Sequence, residues 1–125
     1  MPIDITRLPQ AERFEPPGHQ GVGPVHLFGG EHYDGAVTAA LSHYVPGGRA
    51  DMSTVPVETL YIVLTGSLTP TDADGATHVL HALDSARLTA GSQRSVDNHT
   101  NLPASMLVIR PNLASPSFHA PETRS

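Results

Sequence analysis

Apolar positions in this chain fall in short bursts separated by turn formers, without the three-to-four spacing of an amphipathic helix. The clearest burst is Thr59–Leu64 (TLYIVL), whose continuous apolarity predicts a strand covered on both faces. Ala36–Val45 (AVTAALSHYV) places Val37, Ala39, Leu41, His43 and Val45 on one side under a period of two. A short helix over residues 36–42 is the competing element there, since few positions are β-branched. Val25–Phe28, Ala76–Leu80, Ala86–Thr89, Arg94–Asn98 and Pro103–Ile109 read as further short strands. Pro46-Gly47-Gly48, Asp72-Ala73-Asp74-Gly75 and Ala90-Gly91 supply turns between them. Turn signals recurring about every eight to twelve residues predict an all-β sandwich or barrel. The pattern divides the chain into an extended arm at 1–24, a β domain at 25–110 and a flexible tail at 111–125, the tail having the composition of a frayed terminus.

Composition narrows the chemistry. With 125 residues the chain forms one domain with a real core. Its 11 Gly and 12 Pro are scattered, as a fold of many short strands requires. The net charge of −5 and the lack of a basic stripe argue against nucleic-acid binding. Every positive side chain among the seven is Arg, so lysine Schiff-base chemistry is excluded. Without Cys there is no disulfide, no thiolate nucleophile and no thiolate–metal site. The N-terminus MPIDITRLPQ is polar and broken by Pro, unlike a signal peptide, and no run approaches the ~20 apolar residues that span a bilayer. A soluble, cytoplasmic protein with no membrane partner is the expectation.

Two stretches carry a resemblance. Pro46–Gly66 runs from a Gly turn through a loop into an apolar strand closed by Gly; Ala90–Ile109 runs from a turn through a polar strand and a loop into another apolar strand. Together, with the Asp–Gly hairpin between them, they resemble the two motifs of the cupin superfamily over roughly residues 36–110. The resemblance implies an RmlC-like, cupin-type double-stranded β-helix, that is, a jelly-roll barrel, usually holding a metal. Gly47 and Gly66 look like the framing glycines of the first motif. Counting back from Gly66 puts Thr59 in the family's Glu position and Ser53 and Val55 in its His positions. A β-bulge would instead bring Glu58 into the Glu position and Met52 and Thr54 into the His positions. In the second motif Leu83-Asp84 resembles the Gly-Asp turn with Leu for Gly, Arg94 stands at the third His, and Asn98 stands where the family has Asn. No ligand position holds a histidine, so no cofactor is expected.

What remains suits acid–base work. Arg94 in place of a ligand points a planar guanidinium into the barrel, suited to a carboxylate, phosphate or enolate oxygen; its bland alternative is a structural pair with Glu58 or Asp97, or a side chain reaching to solvent. Glu58, the carboxylate beside the central strand, is the candidate proton carrier, against an exposed ion pair with Arg94 or Arg49. His43 shares the parity of Leu41 and Val45 and is the second candidate. Tyr61, Asn98, Thr59 and Met52 are expected to line a substrate pocket. Imidazoles such as His26, His43 and His99 with Glu58 could alternatively form an unusual metal site. The expected function is a metal-independent isomerase, lyase or decarboxylase acting on a small anionic or enolisable molecule. A non-catalytic small-molecule-binding cupin and a metal enzyme with substituted ligands are the alternatives. A homodimer is expected, its arm crossing to a neighbour as the family's N-terminal strand can.

Overall fold

The computed structural model describes residues 2–116. After a 3-10 turn at Leu8–Gln10 the chain is all strand and loop: β1 (Glu12–Arg13), β2 (His19–Phe28), β3 (Val37–Thr54), β4 (Thr59–Thr65), β5 (Thr69–Asp72), β6 (Ser85–Leu88), β7 (Gln93–Asp97) and β8 (Ala104–Pro111). All pairings are antiparallel. The main path runs β1-β2-β3-β8-β4-β6, and a branch leaves β3 through β7 to β5.

β3 is the element at which the single eight-stranded sheet branches. At about 3.3 Å per residue its 18 residues would span about 60 Å if straight, far beyond the size of so small a domain. Its first half pairs with β8, from Val37↔Pro111 to Tyr44↔Ala104, and its second half pairs with β7, from Arg49↔Asp97 to Thr54↔Gln93. The crossing lies at residues 45–48. Pro46-Gly47-Gly48, expected to be a turn, is therefore a bend inside a continuous strand. Gly47 sits at φ +79°, and a Cβ on Gly48 would lie 2.5 Å from the Gly21 carbonyl oxygen, so the close approach of β2 admits only glycine. The competing helix over 36–42 does not form.

Burial alternates along β4: Thr59, Tyr61 and Val63 are buried, whereas Leu60 is exposed and Ile62 and Leu64 are half-buried. The expectation that both faces of this strand are covered is thus corrected. Inside, Tyr44, Ala50, Tyr61, Val63, Leu68, Val96, Ala104 and Met106 form one core. Outside, Leu41 and Ile62 flank Leu107, and Ala39 and Leu60 flank Ile109, giving an apolar outer sheet face.

Three boundaries also move. β2 begins at His19 and pairs with β3, and β1 pairs with β2, so much of the expected 1–24 arm is sheet. The partner of β2 is a distant edge of β3, which local Gly/Pro content does not report. The expected strand Ala76–Leu80 reduces to two isolated bridges, Thr71↔Thr77 and Leu68↔Leu80. The ladder from β6 round to β5 consequently does not close into a complete barrel. Residues 111–116 of the expected tail are partly clamped, because Asn112 Nδ2 donates to Tyr33 O (3.3 Å) and Gly35 O (2.8 Å); the remainder lies outside the described residues. Among the described residues no helix is long and apolar enough to cross a membrane.

Candidate functional site

A cavity of about 210 Å³ opens between the inner face of the β3–β8–β4 sheet and the N-terminal segment that folds over it. Its walls follow from strand alternation. On β3 the inward positions are Thr38, Ala40, Ser42 and Tyr44; on β8 they are Met106, Val108 and Arg110; on β4 Tyr61 reaches in, and β7 contributes Arg94. Phe14 and His26, stacked with ring centroids 3.9 Å apart, stand at the rim. No Asp or Glu lines this pocket.

The most constrained part is a hydrogen-bonded centre around Arg94, whose residue is only 7% exposed. Its Nε donates to Tyr61 Oη at 2.7 Å, and its Nη1 donates to Asp51 O at 3.0 Å and Ser53 Oγ at 2.9 Å. Nη2 makes none of these bonds, and no buried side-chain nitrogen lacks a partner among the described residues. Two N–H donors therefore stay open to a ligand. Arg94 also borders a second cleft of about 430 Å³ that carries Asp72 and His78. The His78 hydrogen bond, helped by the Ala76 and Asp74 amides, holds the Asp72 carboxyl below its usual range.

Arg110 forms a second, parallel arrangement. Its Nε donates to Thr59 Oγ1 at 3.1 Å, and that hydroxyl in turn donates to Val57 O at 2.9 Å. Thr59 and Tyr61 lie two residues apart on one face of β4, about 7 Å along the strand, so one strand fastens both guanidinium groups. Beside them, burial pushes the Tyr44 phenol well above its ordinary pKa, with the neighbouring Tyr61 adding and Arg94 opposing. Tyr44 stays neutral and able to donate a hydrogen bond.

Of the expected site residues, the fold brings Arg94 and Tyr61 to the pocket, and it buries Thr59 just behind Arg110. The others lie elsewhere. Glu58 is exposed and forms an ion pair with Arg87, because the register shift in β4, between Val63 and Thr65, leaves Thr59 rather than Glu58 in the inward position. His43 is exposed: its parity with Leu41 and Val45 is the outer one, and the inward parity belongs to Ser42 and Tyr44. Met52 is exposed and away from the pocket. Asn98 is buried, but every polar atom of its side chain is committed. Nδ2 donates to Tyr44 O, Val45 O and Leu102 O, while Oδ1 accepts from Thr100 N and Oγ1. It fastens the 98–102 loop to the β3 crossing rather than binding substrate.

Arg110 and Tyr44 were not expected here, and His26 was expected only as a member of the alternative metal set. For Arg110 the signal was available, since Met106, Val108 and Arg110 share one parity once β8 is extended by a residue. For Tyr44 the pattern misled, because the outward side of β3 is the more apolar one. His26 sits in a Gly/Pro-rich stretch whose pairing is long-range.

The metal that the fold family usually holds does not fit these residues. The ligand positions carry Ser53, Val55, Thr59 and Arg94, and a guanidinium offers donors only. Among the described residues no three His, Asp or Glu side chains are arranged to hold a metal ion.

No known family profile matches the chain. It is 41% identical over 107 residues to "Beta-D-galactosidase Rv1717" of Mycobacterium tuberculosis (strain ATCC 25618 / H37Rv), covering 85% of this chain and 91% of that protein. Its fold is similar to the polyketide cyclase RemF from Streptomyces resistomycificus, with a TM-score of 0.77 at 15% identity over 87% of this chain and 79% of that one. It is also similar to an RmlC-like cupin from Shewanella frigidimarina NCIMB 400, with a TM-score of 0.69 at 16% identity over 88% and 91% of the two chains. The strand pairings, the motif framework and these likenesses agree on an RmlC-like, cupin-type fold, and the 41% identity over most of both chains shows that this chain belongs to the family of the mycobacterial protein Rv1717.

Proposed function

We propose that this protein is a cytoplasmic enzyme that takes a sugar-sized polar substrate, a galactoside by analogy with its 41% identical relative, into the interior pocket and cleaves it by proton transfer. The observation that carries the reading is the Arg94 Nε–Tyr61 Oη hydrogen bond of 2.7 Å inside the cavity. A phenol placed by a fixed guanidinium is suited to handing a proton to or from substrate. The open Nη2 donors of Arg94 stabilise negative charge as it develops. Tyr44, held neutral, and Ser42 supply hydrogen bonds to hydroxyl groups. The usual carboxylate pair of glycosidases has no counterpart on the pocket wall, so the proton chemistry falls to Tyr61.

Turnover of nitrophenyl and oligosaccharide galactosides by wild type, Tyr61→Phe and Arg94→Ala tests this. Loss of at least about 10²-fold in kcat for Tyr61→Phe, with the fold retained by circular dichroism, is expected. Wild-type turnover in both variants overturns it. A binding module is the second reading, favoured by the fact that Arg94, Tyr61 and Ser53 already satisfy one another; saturable sugar binding without any turnover would select it.

The apolar outer face around Leu41, Ile62, Leu107 and Ile109 supports a homodimer formed face to face, rather than through the N-terminal arm, whose β2 pairs within its own chain. Light scattering of wild type and Leu107→Asp reads this: a wild-type monomer removes the proposal.

A further inference from the structure

Four arginines in the described chain have well-defined partners, and they fall into two kinds. Arg49 holds Asp97 at 2.6 Å and Asp51 at 3.2 Å, and Arg87 holds Glu58; both are on the outside. Arg94 and Arg110 face the pocket, and both are met by hydroxyls and backbone carbonyls alone. Two guanidinium groups are thus fastened to one strand, two residues apart, over a cavity with no acidic residue on its wall. Like charges so placed repel, and among the described residues no carboxylate forms an ion pair with either of them. In a chain of net charge −5, this is a localised positive pocket. A planar fork matches a carboxylate in two-point contact.

Resting on the reading of this cavity as the substrate site, we propose that the sugar it takes is acidic. The substrate is a uronide whose carboxylate lies between Arg94 and Arg110, and its glycosidic link is broken by β-elimination instead of by water. A carboxylate bound by two guanidinium groups acidifies the adjacent ring C–H, which is the bond Tyr61 is placed to break. Tyr61 Oη, held by Arg94 Nε, takes that proton as it releases its own towards the leaving oxygen. The C–H electron pair becomes a carbon–carbon double bond as the bond from the next ring carbon to its glycosidic oxygen breaks. The leaving oxygen takes the proton that Tyr61 releases. One uronide chain yields an unsaturated uronide and an alcohol, with no water and no redox partner consumed. The absence of a carboxylate pair on the wall, awkward for hydrolysis, is what elimination permits.

The test compares three probes on the full-length protein: a neutral galacto-oligosaccharide, an oligogalacturonide and galactose phosphate. Conjugated-product ultraviolet absorbance and release of reducing ends are read together. The expected result is cleavage of the oligogalacturonide with equal amounts of unsaturated product and new ends, and no uptake of labelled solvent oxygen. Arg110→Gln is expected to lower kcat/KM on it at least about tenfold, with partial rescue in Arg110→Lys. Cleavage of the neutral oligosaccharide alone overturns the acidic-sugar inference and leaves the proposed function standing, as does hydrolysis of the uronide without unsaturated product. Binding of galactose phosphate alone reassigns the anion and overturns the uronide. If none of the probes is bound or cleaved, both proposals fall.

Discussion

Leu83 occupies the turn before β6 with φ +71°, and it is the one non-glycine residue of the described chain with positive φ. At this point the cupin pattern has Gly. The backbone geometry is imposed from both sides: Leu83 N donates to Val63 O at 2.6 Å and Asp84 N to His81 O at 2.9 Å, while Asp84 Oδ2 accepts from His81 N at 2.9 Å. An L side chain in the left-handed region costs about 1–2 kcal/mol. Replacing Leu83 by Gly removes that strain but adds unfolded-state freedom worth about 0.4–1 kcal/mol. The leucine is 77% exposed, so losing its side chain gives up only about 0.5 kcal/mol of burial. The net is a gain of roughly 0.5 kcal/mol for Leu83→Gly. Leu83→Asn, which tolerates this region with less unfolded freedom, should gain about 1 kcal/mol, or about 4 °C in Tm. Leu83→Val, β-branched, should lose about 1 kcal/mol. Urea unfolding of the three variants gives the comparison. Gly and Asn at or below wild type, with Val indistinguishable from it, refutes the strain argument.

Asn98→Ala strands three carbonyls, those of Tyr44, Val45 and Leu102, and releases the 98–102 loop; a loss of about 3 kcal/mol in urea unfolding is expected, and a loss below 1 kcal/mol would show the clamp is dispensable. Tyr44's pKa is raised above its ordinary 10.0, chiefly by burial. The folded state then keeps a proton that the unfolded chain releases, so this contribution is complete below about pH 10 and is lost as pH rises beyond it. The fall in urea midpoint above that pH should be shallower in Tyr44→Phe; identical profiles would count against buried-phenol linkage. Glu58→Gln breaks an exposed pair with Arg87 and should change stability by no more than about 0.5 kcal/mol, with turnover of any substrate unchanged. A large loss of activity in that variant would return Glu58 to the site.

The positions of β4, β7 and β8 and the framework of two glycine-bounded motifs were legible along the chain, because they rest on local apolar runs and turn residues. Gly47 and Gly66 stand at φ +79° and +73°, as framing glycines in such turns require. Arg94 and Tyr61 were legible as pocket residues for a similar reason: each has a fixed parity within a short, well-bounded strand. Glu58 was not, since a shift of one residue moves a side chain from one face of a strand to the other, and only the β4–β8 register, Leu60↔Ile109 to Thr65↔Ser105, selects between them.

Sequence by itself thus determined an all-β chain, its principal strands, the loss of the histidine ligands and the presence of an arginine in their place. Tertiary structure alone decided three further things. It turned Pro46-Gly47-Gly48 from a turn into the bend of an 18-residue strand shared by two branches of one sheet, because the pairing partners of that strand lie in β7 and β8. It made the more apolar side of β3 the outer one, which sends His43 out and Tyr44 in. And it set Arg110 beside Arg94, a neighbourhood created by the β8–β4 and β3–β7 pairings together, between residues 16 positions apart in a chain whose local pattern records only which side of its own strand each one takes.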